Sequence, residues 1–410
     1  MADTAVRGAY HFGPFHLDVR ERRLSRGEEV IPLRLKVFDT LLVLVENAGR
    51  LVTKQELLDT VWPETTVEEN NLNHNVSVLR KALGEKATGQ QYIETVPRVG
   101  YRFAAPVEAS ALHVGASAAS IAKPRQEIRY CTTCDGVRLA YATTGSGPPL
   151  VKASNWLTHL DFEWGSPIWR HWYSELSRHH RVIRYDERGN GMSQRDVADV
   201  SFDTWVRDLE TVVDAAGLDR FPLLGISRGG SIAIAYAVKH PERVTHLVLY
   251  GAFASGLNHH GTPHELEARR ALTSLVRLGW GLNNPAFCKT FTCRFIPEAT
   301  PEHEQWFDEL QRVSTSPENA ARLMERDDDI DVRALLPHVK TPTLVIHCDR
   351  DHAVVPERGR VLAAAIPGAR YVSLPGANHL MLEQEPAWSL FLEEVGLFLN
   401  WSRNKEQQQP

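Results

Sequence analysis

The stretch Leu223-Leu224-Gly225-Ile226-Ser227-Arg228-Gly229-Gly230-Ser231-Ile232-Ala233-Ile234-Ala235-Tyr236-Ala237 constrains the fold of this chain more than any other. An apolar run leads in. A serine stands with glycines two positions before and two after it. A helix-compatible run rich in small residues leads out. The pattern predicts a strand that turns sharply into a helix, with Ser227 on strained backbone at the corner. Side chains at the two flanking positions would crowd the strand against the helix, so glycine is needed there. The turn sets the Ser227 hydroxyl at a helix N-terminus, where free N–H groups and the helix dipole favour developing negative charge. A five-residue pattern with three fixed positions recurs by chance, so the surroundings decide its weight.

From about residue 125 onward, strand and helix patterns alternate as in an α/β fold. Gln126–Cys131 and Val137–Thr143 read as a hairpin, followed by strands at Leu150–Ala153, Val182–Asp186, the elbow strand and Val244–Tyr250. Residues 255–336 break the alternation and are mostly helical, which predicts a cap over the C-terminal sheet edge. Strands resume at Thr343–Cys348 and Tyr371–Leu374, and a last helix runs over Ala387–Trp401. A serine hydroxyl needs a base, and the base needs an orienting carboxylate. After an elbow of this kind the chain order is serine, acid, histidine. The strand ending at Cys348 runs into Asp349-Arg350-Asp351, and the last strand runs into Pro375-Gly376-Ala377-Asn378-His379. Ser227, Asp351 and His379 therefore all fall in loops at strand ends, where sites in such sheets form. Asp349 stands as the alternative acid.

The motifs Asp186-Glu187-Arg188-Gly189-Asn190-Gly191-Met192-Ser193, the elbow, His347-Cys348-Asp349-Arg350-Asp351 and Gly376-Ala377-Asn378-His379 together resemble the α/β-hydrolase superfamily over 125–401. The segments Lys152–His159, Ser166–Trp172 and Arg184–Gly189 resemble a bacterial subgroup fused to regulatory or signalling modules. The resemblance implies a mostly parallel sheet with a helical cap, and a metal-independent serine hydrolase that needs no cofactor and acts on a small-molecule carboxylic ester, lactone or thioester. It also implies an oxyanion hole from the N–H of Arg228 and a second N–H in the loop after the third strand, assigned to Trp156. This chain departs from many relatives by carrying Ser154-Asn155 where they have His-Gly, and Cys348 where they have Gly. Trp156, Trp164, Trp169 and Trp172 are candidates for a pocket wall, with packing expected for at least two. His259, His260 and His264 are expected in a solvated cap loop, and Asp327-Asp328-Asp329 in a charged surface turn.

Residues 1–107 read as a separate small α+β unit, joined by an Ala/Ser-rich linker over 108–124 to a second unit over 125–402, with a disordered tail at 403–410. In the first unit, Phe12–Val19 alternates like one strand and Arg23–Val30 like a hairpin. Three helical patterns follow, near 33–47, 54–62 and 67–83, and a second hairpin spans 92–103. Thr53 is the expected cap of the second helix, with Glu56 closing a capping box. The runs Leu51-Val52-Thr53-Lys54-Gln55-Glu56-Leu57-Leu58, Asn70-Asn71-Leu72-Asn73 and Ile93–Phe103 resemble the winged-helix DNA-binding domain of OmpR-like response regulators. The resemblance implies that the third helix enters the major groove and the hairpin wing touches a flanking minor groove. Asn71, Asn73, His74, Asn75, Ser77, Arg80 and Lys81 lie outside the apolar stripe of that helix, and Arg98 and Arg102 belong to the wing. Asparagine suits adenine edges, and Arg and Lys suit phosphate or guanine. The unit carries 14 Lys/Arg against 14 Asp/Glu, so non-specific affinity should be weak and a homodimer on paired half-sites would compensate.

The whole chain has a net charge of −5, which does not point to a polyanion binder, and 43% apolar with 24% charged residues, as in ordinary globular proteins. It opens with no basic-then-apolar signal segment and holds no run of about 20 apolar residues, so a cytoplasmic location without membrane attachment is expected. Cys131-Thr132-Thr133-Cys134 is the only C-x-x-C pair; without a second close pair it reads as a strand running into the Asp135-Gly136 turn rather than a zinc site. Two functions fit: an ester hydrolase fused to a DNA-binding domain, or a transcriptional regulator whose hydrolase-like part senses a small acyl ligand.

Overall fold

Short apolar alternations broken at glycines build the first part of the chain. The computed structural model describes residues 9–19, 23–27, 29–31, 33, 35–61, 69–85, 91–97, 99–110, 126–280 and 285–401. The chain divides into two compact units, Met1–Ser120 and Ile121–Pro410. In the first, Gly13 takes φ +53° and reverses the chain, so the single strand expected over 12–19 is two. β1 (Ala9–Phe12) and β2 (Phe15–Asp18) pair antiparallel with Phe12 opposite Phe15. β3 (Arg23–Arg26) and β4 (Glu29–Ile31) continue that sheet as a hairpin around Gly27.

Helices α1 (Leu35–Glu46), α2 (Lys54–Val61) and α3 (Glu69–Ala82) follow the expected patterns. Their apolar faces bury Leu41, Leu44, Leu57, Leu72, Val76 and Leu79 in one core. Thr53 caps α2 by accepting from the Glu56 N–H at 3.1 Å. The expected capping box is only half made, because the Glu56 carboxylate pairs with Arg50 instead. β5 (Leu51–Thr53), β6 (Ile93–Val96) and β7 (Gly100–Phe103) form a second antiparallel sheet in the order β5-β7-β6. β8 (Glu108–Ser110) adds to the free edge of β1. The expected linker therefore starts inside a sheet at residue 108; 111–124 and the tail at 403–410 lie outside the described residues.

The second unit is an eight-stranded sheet. It comprises β9 (Glu127–Thr132), β10 (Arg138–Thr144), β11 (Pro149–Lys152), β12 (Arg181–Tyr185), β13 (Phe221–Ile226), β14 (Val244–Tyr250), β15 (Thr343–Cys348) and β16 (Arg370–Leu374). Their order is β9-β10-β12-β11-β13-β14-β15-β16. β9, β10 and β12 are antiparallel neighbours, and the pairs from β12 through β16 are parallel. Central parallel strands are buried on both faces and need continuous apolar runs; Thr343–Cys348 is buried at every position.

Helices α4 (Leu160–Trp164), α5 (Arg170–Leu176), α6 (Phe202–Ala215) and α7 (Arg228–Lys239) belong to the sheet layers with the late helices α12 (Pro356–Ala365) and α13 (Pro386–Phe398). Between β14 and β15 the described residues form the α-helices α8 (Pro263–Gly279), α9 (Pro285–Phe295), α10 (Pro301–Ser314) and α11 (Pro317–Asp329). They form the helical cap that the broken alternation predicts.

Candidate active site

β13 ends at Ile226 and α7 begins at Arg228, so one residue makes the whole corner. That residue is Ser227, at φ 53° and ψ −127°, a left-handed conformation rare for a side-chain-bearing residue. The glycines explain how the corner closes. A Cβ at Gly225 would lie 2.6 Å from the Gly230 Cα, one at Gly229 2.7 Å from the Ser154 carbonyl, and one at Gly230 2.3 Å from the Ala252 Cβ. The Ser227 N–H donates to the Tyr250 carbonyl at 2.9 Å, tying the corner to the end of β14.

His379 comes to the same strand end. A Cβ at Gly251, the residue after Tyr250, would lie 2.8 Å from the His379 Cε1. His379 Nδ1 lies 2.6 Å from Asp351 Oδ2. Asp351 Oδ1 accepts from the N–H groups of Ala353 at 2.8 Å and Val354 at 3.0 Å. His347 also approaches Oδ2, at 3.5 Å, while its Nε2 contacts the Val354 carbonyl at 2.7 Å. Burial alone would raise the Asp351 carboxyl. The two histidines and the Val354 N–H outweigh it and hold the group well below the usual carboxylate range. His379 Nε2 is buried with no hydrogen-bond partner, so it is not bonded to the Ser227 hydroxyl here. It is left as an open acceptor or donor. Asp349, the alternative acid, turns away and accepts from the Gly376 N–H at 3.0 Å.

Ser227 opens into a cavity of about 590 Å³ beneath the cap, lined also by Trp156 and Arg228. The Arg228 N–H is the first of α7, where no preceding turn supplies an acceptor. Trp156 sits just before Leu157, which takes φ 52°, and Asn155 holds its carbonyl through Nδ2 at 3.2 Å. The Asn155 Oδ1 in turn accepts from the buried Lys152 ammonium. The segment standing in place of His-Gly thus has its own internal bracing. Of the other tryptophans, Trp169 and Trp172 are core residues, packed with Tyr173, Tyr250 and Trp388, and Trp164 is partly buried against that core.

The sequence reading missed an ion network around this site. The buried Arg228 guanidinium pairs with Glu187 and, at 2.8 Å, with Asp327 of cap helix α11, and lies 4.3 Å from the Trp205 ring centre. Burial pushes Glu187 up to about 8 against the pull of Arg228. Asp328 pairs with Arg269 of α8 at 2.7 Å. The expected charged surface turn at 327–329 is therefore corrected: Asp327 and Asp328 face the cavity and only Asp329 is exposed. Successive helix positions point about 100° apart, so three adjacent carboxylates cannot share one exposed face. His260 also departs from its expected solvated place by lining the cavity, while His259 contacts the Asp329 carbonyl at 3.0 Å.

The nine residues expected to face DNA fare unevenly. His74, Ser77 and Lys81 are exposed on α3. Asn75 is corrected: it is buried and donates to the Lys36 carbonyl at 3.0 Å and Thr40 Oγ1 at 3.1 Å, locking α3 onto α1. Asn73 is exposed but accepts from the Tyr101 hydroxyl at 2.7 Å. Arg80 is turned to the Ile93 carbonyl and the Thr95 hydroxyl, and Arg102 pairs with Glu94 at 3.1 Å. Intra-unit partners thus already engage three of the polar groups that periodicity alone assigned to the outer face. The Asn71 side chain and all of Arg98 lie outside the described residues.

Residues 160–386 match the family described as alpha/beta hydrolase fold, and residues 27–103 match the C-terminal domain of transcriptional regulatory proteins. The chain is 26% identical over 262 residues to a pyrrolizixenacetamide deacetylase of Xenorhabdus hominickii, covering 62% of this chain and 93% of that one. It is 28% identical to the enol-lactonase of Burkholderia xenovorans LB400, with a TM-score of 0.55 over 66% of this chain and all of the lactonase. An esterase of Thermogutta terrifontis is 26% identical with a TM-score of 0.54, over 68% of this chain and 98% of its own.

Proposed function

Because the chain belongs to the α/β-hydrolase fold family, we propose that it hydrolyses carboxylic esters, small lactones and thioesters included, and that its winged-helix unit binds DNA. The observation that carries the first half is the pairing of His379 with Asp351 at 2.6 Å, with His379 Nε2 unbonded, at the β14 end to which the strained Ser227 is also tied. In the proposed reaction His379 takes the proton from Ser227 as its Oγ attacks the ester carbonyl. The N–H groups of Arg228 and Trp156 hold the oxyanion. Collapse expels the alcohol, which takes that proton from His379. Water, activated by the same base, then releases the acid and frees the serine. Asp351 holds the ring orientation and supports the imidazolium. The likeness to a deacetylase, an enol-lactonase and an esterase supports acyl chemistry of this type.

The second half rests on the match of 27–103 to transcriptional regulators and on the exposed His74, Ser77 and Lys81 of α3. On this reading the protein acts in the cytoplasm, bound to DNA as a homodimer on paired half-sites. Among the described residues no helix is long and apolar enough to cross a membrane. The same match favours a second reading, in which the hydrolase unit senses an acyl ligand and turnover is incidental. A panel of 4-nitrophenyl esters of increasing chain length separates the two. Wild type should release nitrophenolate well above Ser227→Ala for at least one chain length. Equal, background rates for both proteins on every ester would leave the sensor.

A further inference from the structure

Resting on the hydrolase reading, we propose that the substrate carries a free carboxylate on its acyl or alcohol part, bound by Arg294 and Arg358 in the cavity above Ser227. Three carboxylates line that cavity, and each is already committed. Asp327 pairs with Arg228 and Asp328 with Arg269. Glu265 closes the cap of α8, accepting from the Thr262 N–H and hydroxyl at 2.8 Å. Arg294 of α9 and Arg358 of α12 line the same cavity, and among the described residues neither forms a salt bridge, although Glu265 and Glu357 attract Arg358 and Asp328 and Asp351 attract Arg294 from farther off. The side-chain contact of Arg294 is a long one, 3.4 Å to the Ala353 carbonyl.

A second feature adds to the positive side. Helix α12 starts at Pro356, its N-cap Val355 gives no side-chain cap, and Ala353, Val354 and Val355 line the cavity. The positive end of the α12 dipole therefore stands beside the two arginines, while the Ala353 and Val354 N–H groups are held by Asp351 and the Arg358 N–H by the Val355 carbonyl. Phe253, Leu257, Leu272 and Phe291 supply apolar wall, while Arg294 is exposed and Arg358 half-buried, so both guanidinium groups are open to an entering anion. Two planar guanidinium groups without a salt-bridge partner match the fork of a carboxylate. A cavity of about 590 Å³ accommodates a small ester of this kind.

The test compares mono-4-nitrophenyl glutarate with its neutral methyl ester, each rate normalised to hydroxide-driven hydrolysis. Wild type should favour the charged ester in kcat/KM by about tenfold or more. That ratio should fall toward one in the Arg294→Gln/Arg358→Gln double variant, persist in part in Arg358→Lys, and shrink with added salt. A wild-type ratio at or below one, or a ratio unchanged in the double variant, overturns the subsite while leaving the hydrolase reading intact. If neither ester is cleaved above Ser227→Ala, the hydrolase reading fails, and calorimetry of glutarate with Ser227→Ala then decides the subsite. Saturable binding abolished by the two glutamine substitutions supports it, and no binding overturns it.

Discussion

Asp351 illustrates how much one position in this sheet can be asked to do. Its carboxylate holds His379 on one oxygen and two backbone N–H groups on the other. In the folded chain its pKa lies below the roughly 3.9 of a free aspartate. The unfolded chain therefore takes up the proton first. The stability this group contributes is complete above about pH 5 and is lost as the pH falls toward the folded value. Urea unfolding of wild type and Asp351→Asn should differ by more at pH 7 than at pH 3.5; an equal difference at both would contradict this. Gly251 is a second single-residue test. Alanine there would place a Cβ 2.8 Å from the His379 Cε1 on backbone at φ +55°. The ring must shift, and kcat should drop on the order of a hundredfold. Unchanged kcat would show that His379 is not needed where it lies. That Asp351 and His379 meet was legible in the sequence because strand ends bring the two loops together. The Asn75 burial was not, since helical periodicity cannot tell an outward polar group from one that bonds the neighbouring helix.

At the scale of elements, the turn into α7 is joined to the cap by Arg228, whose buried guanidinium reaches Glu187 just after β12 and Asp327 on α11. Removing one member of a buried ion network leaves charge uncompensated, at a cost of about 3–5 kcal/mol. Arg228→Met should lower unfolding stability by about that amount at neutral pH, and the double variant Arg228→Met/Asp327→Asn should recover part of it. Full additivity of the two losses would argue that the residues act independently. The strands of the second unit were readable because buried parallel strands are short continuous apolar runs between turn residues. The existence of the cap was readable from the break in alternation over 255–336. Its seating was not, because that depends on cross-element pairs such as Arg228 with Asp327 and Arg269 with Asp328, which carry no periodic signature.

The whole molecule joins a winged helix to an α/β hydrolase, and each unit makes its own prediction. The first has no net basic charge to drive non-specific DNA binding, so each exposed cation on α3 should count. Lys81→Ala should weaken binding to the DNA upstream of the gene and reduce the salt dependence of the affinity by about one unit in log–log slope. An unchanged slope in gel shifts across salt concentrations would remove Lys81 from the interface. For the second unit, the central claim is that Ser227 is an activated nucleophile served by His379. A fluorophosphonate reports this directly, because only such a serine attacks the phosphorus and expels fluoride. Intact mass spectrometry should show one adduct on wild type, located by peptide mapping to Ser227 and lost in both Ser227→Ala and His379→Ala. A wild-type protein that stays unlabelled, or one labelled equally in the His379→Ala variant, would contradict it.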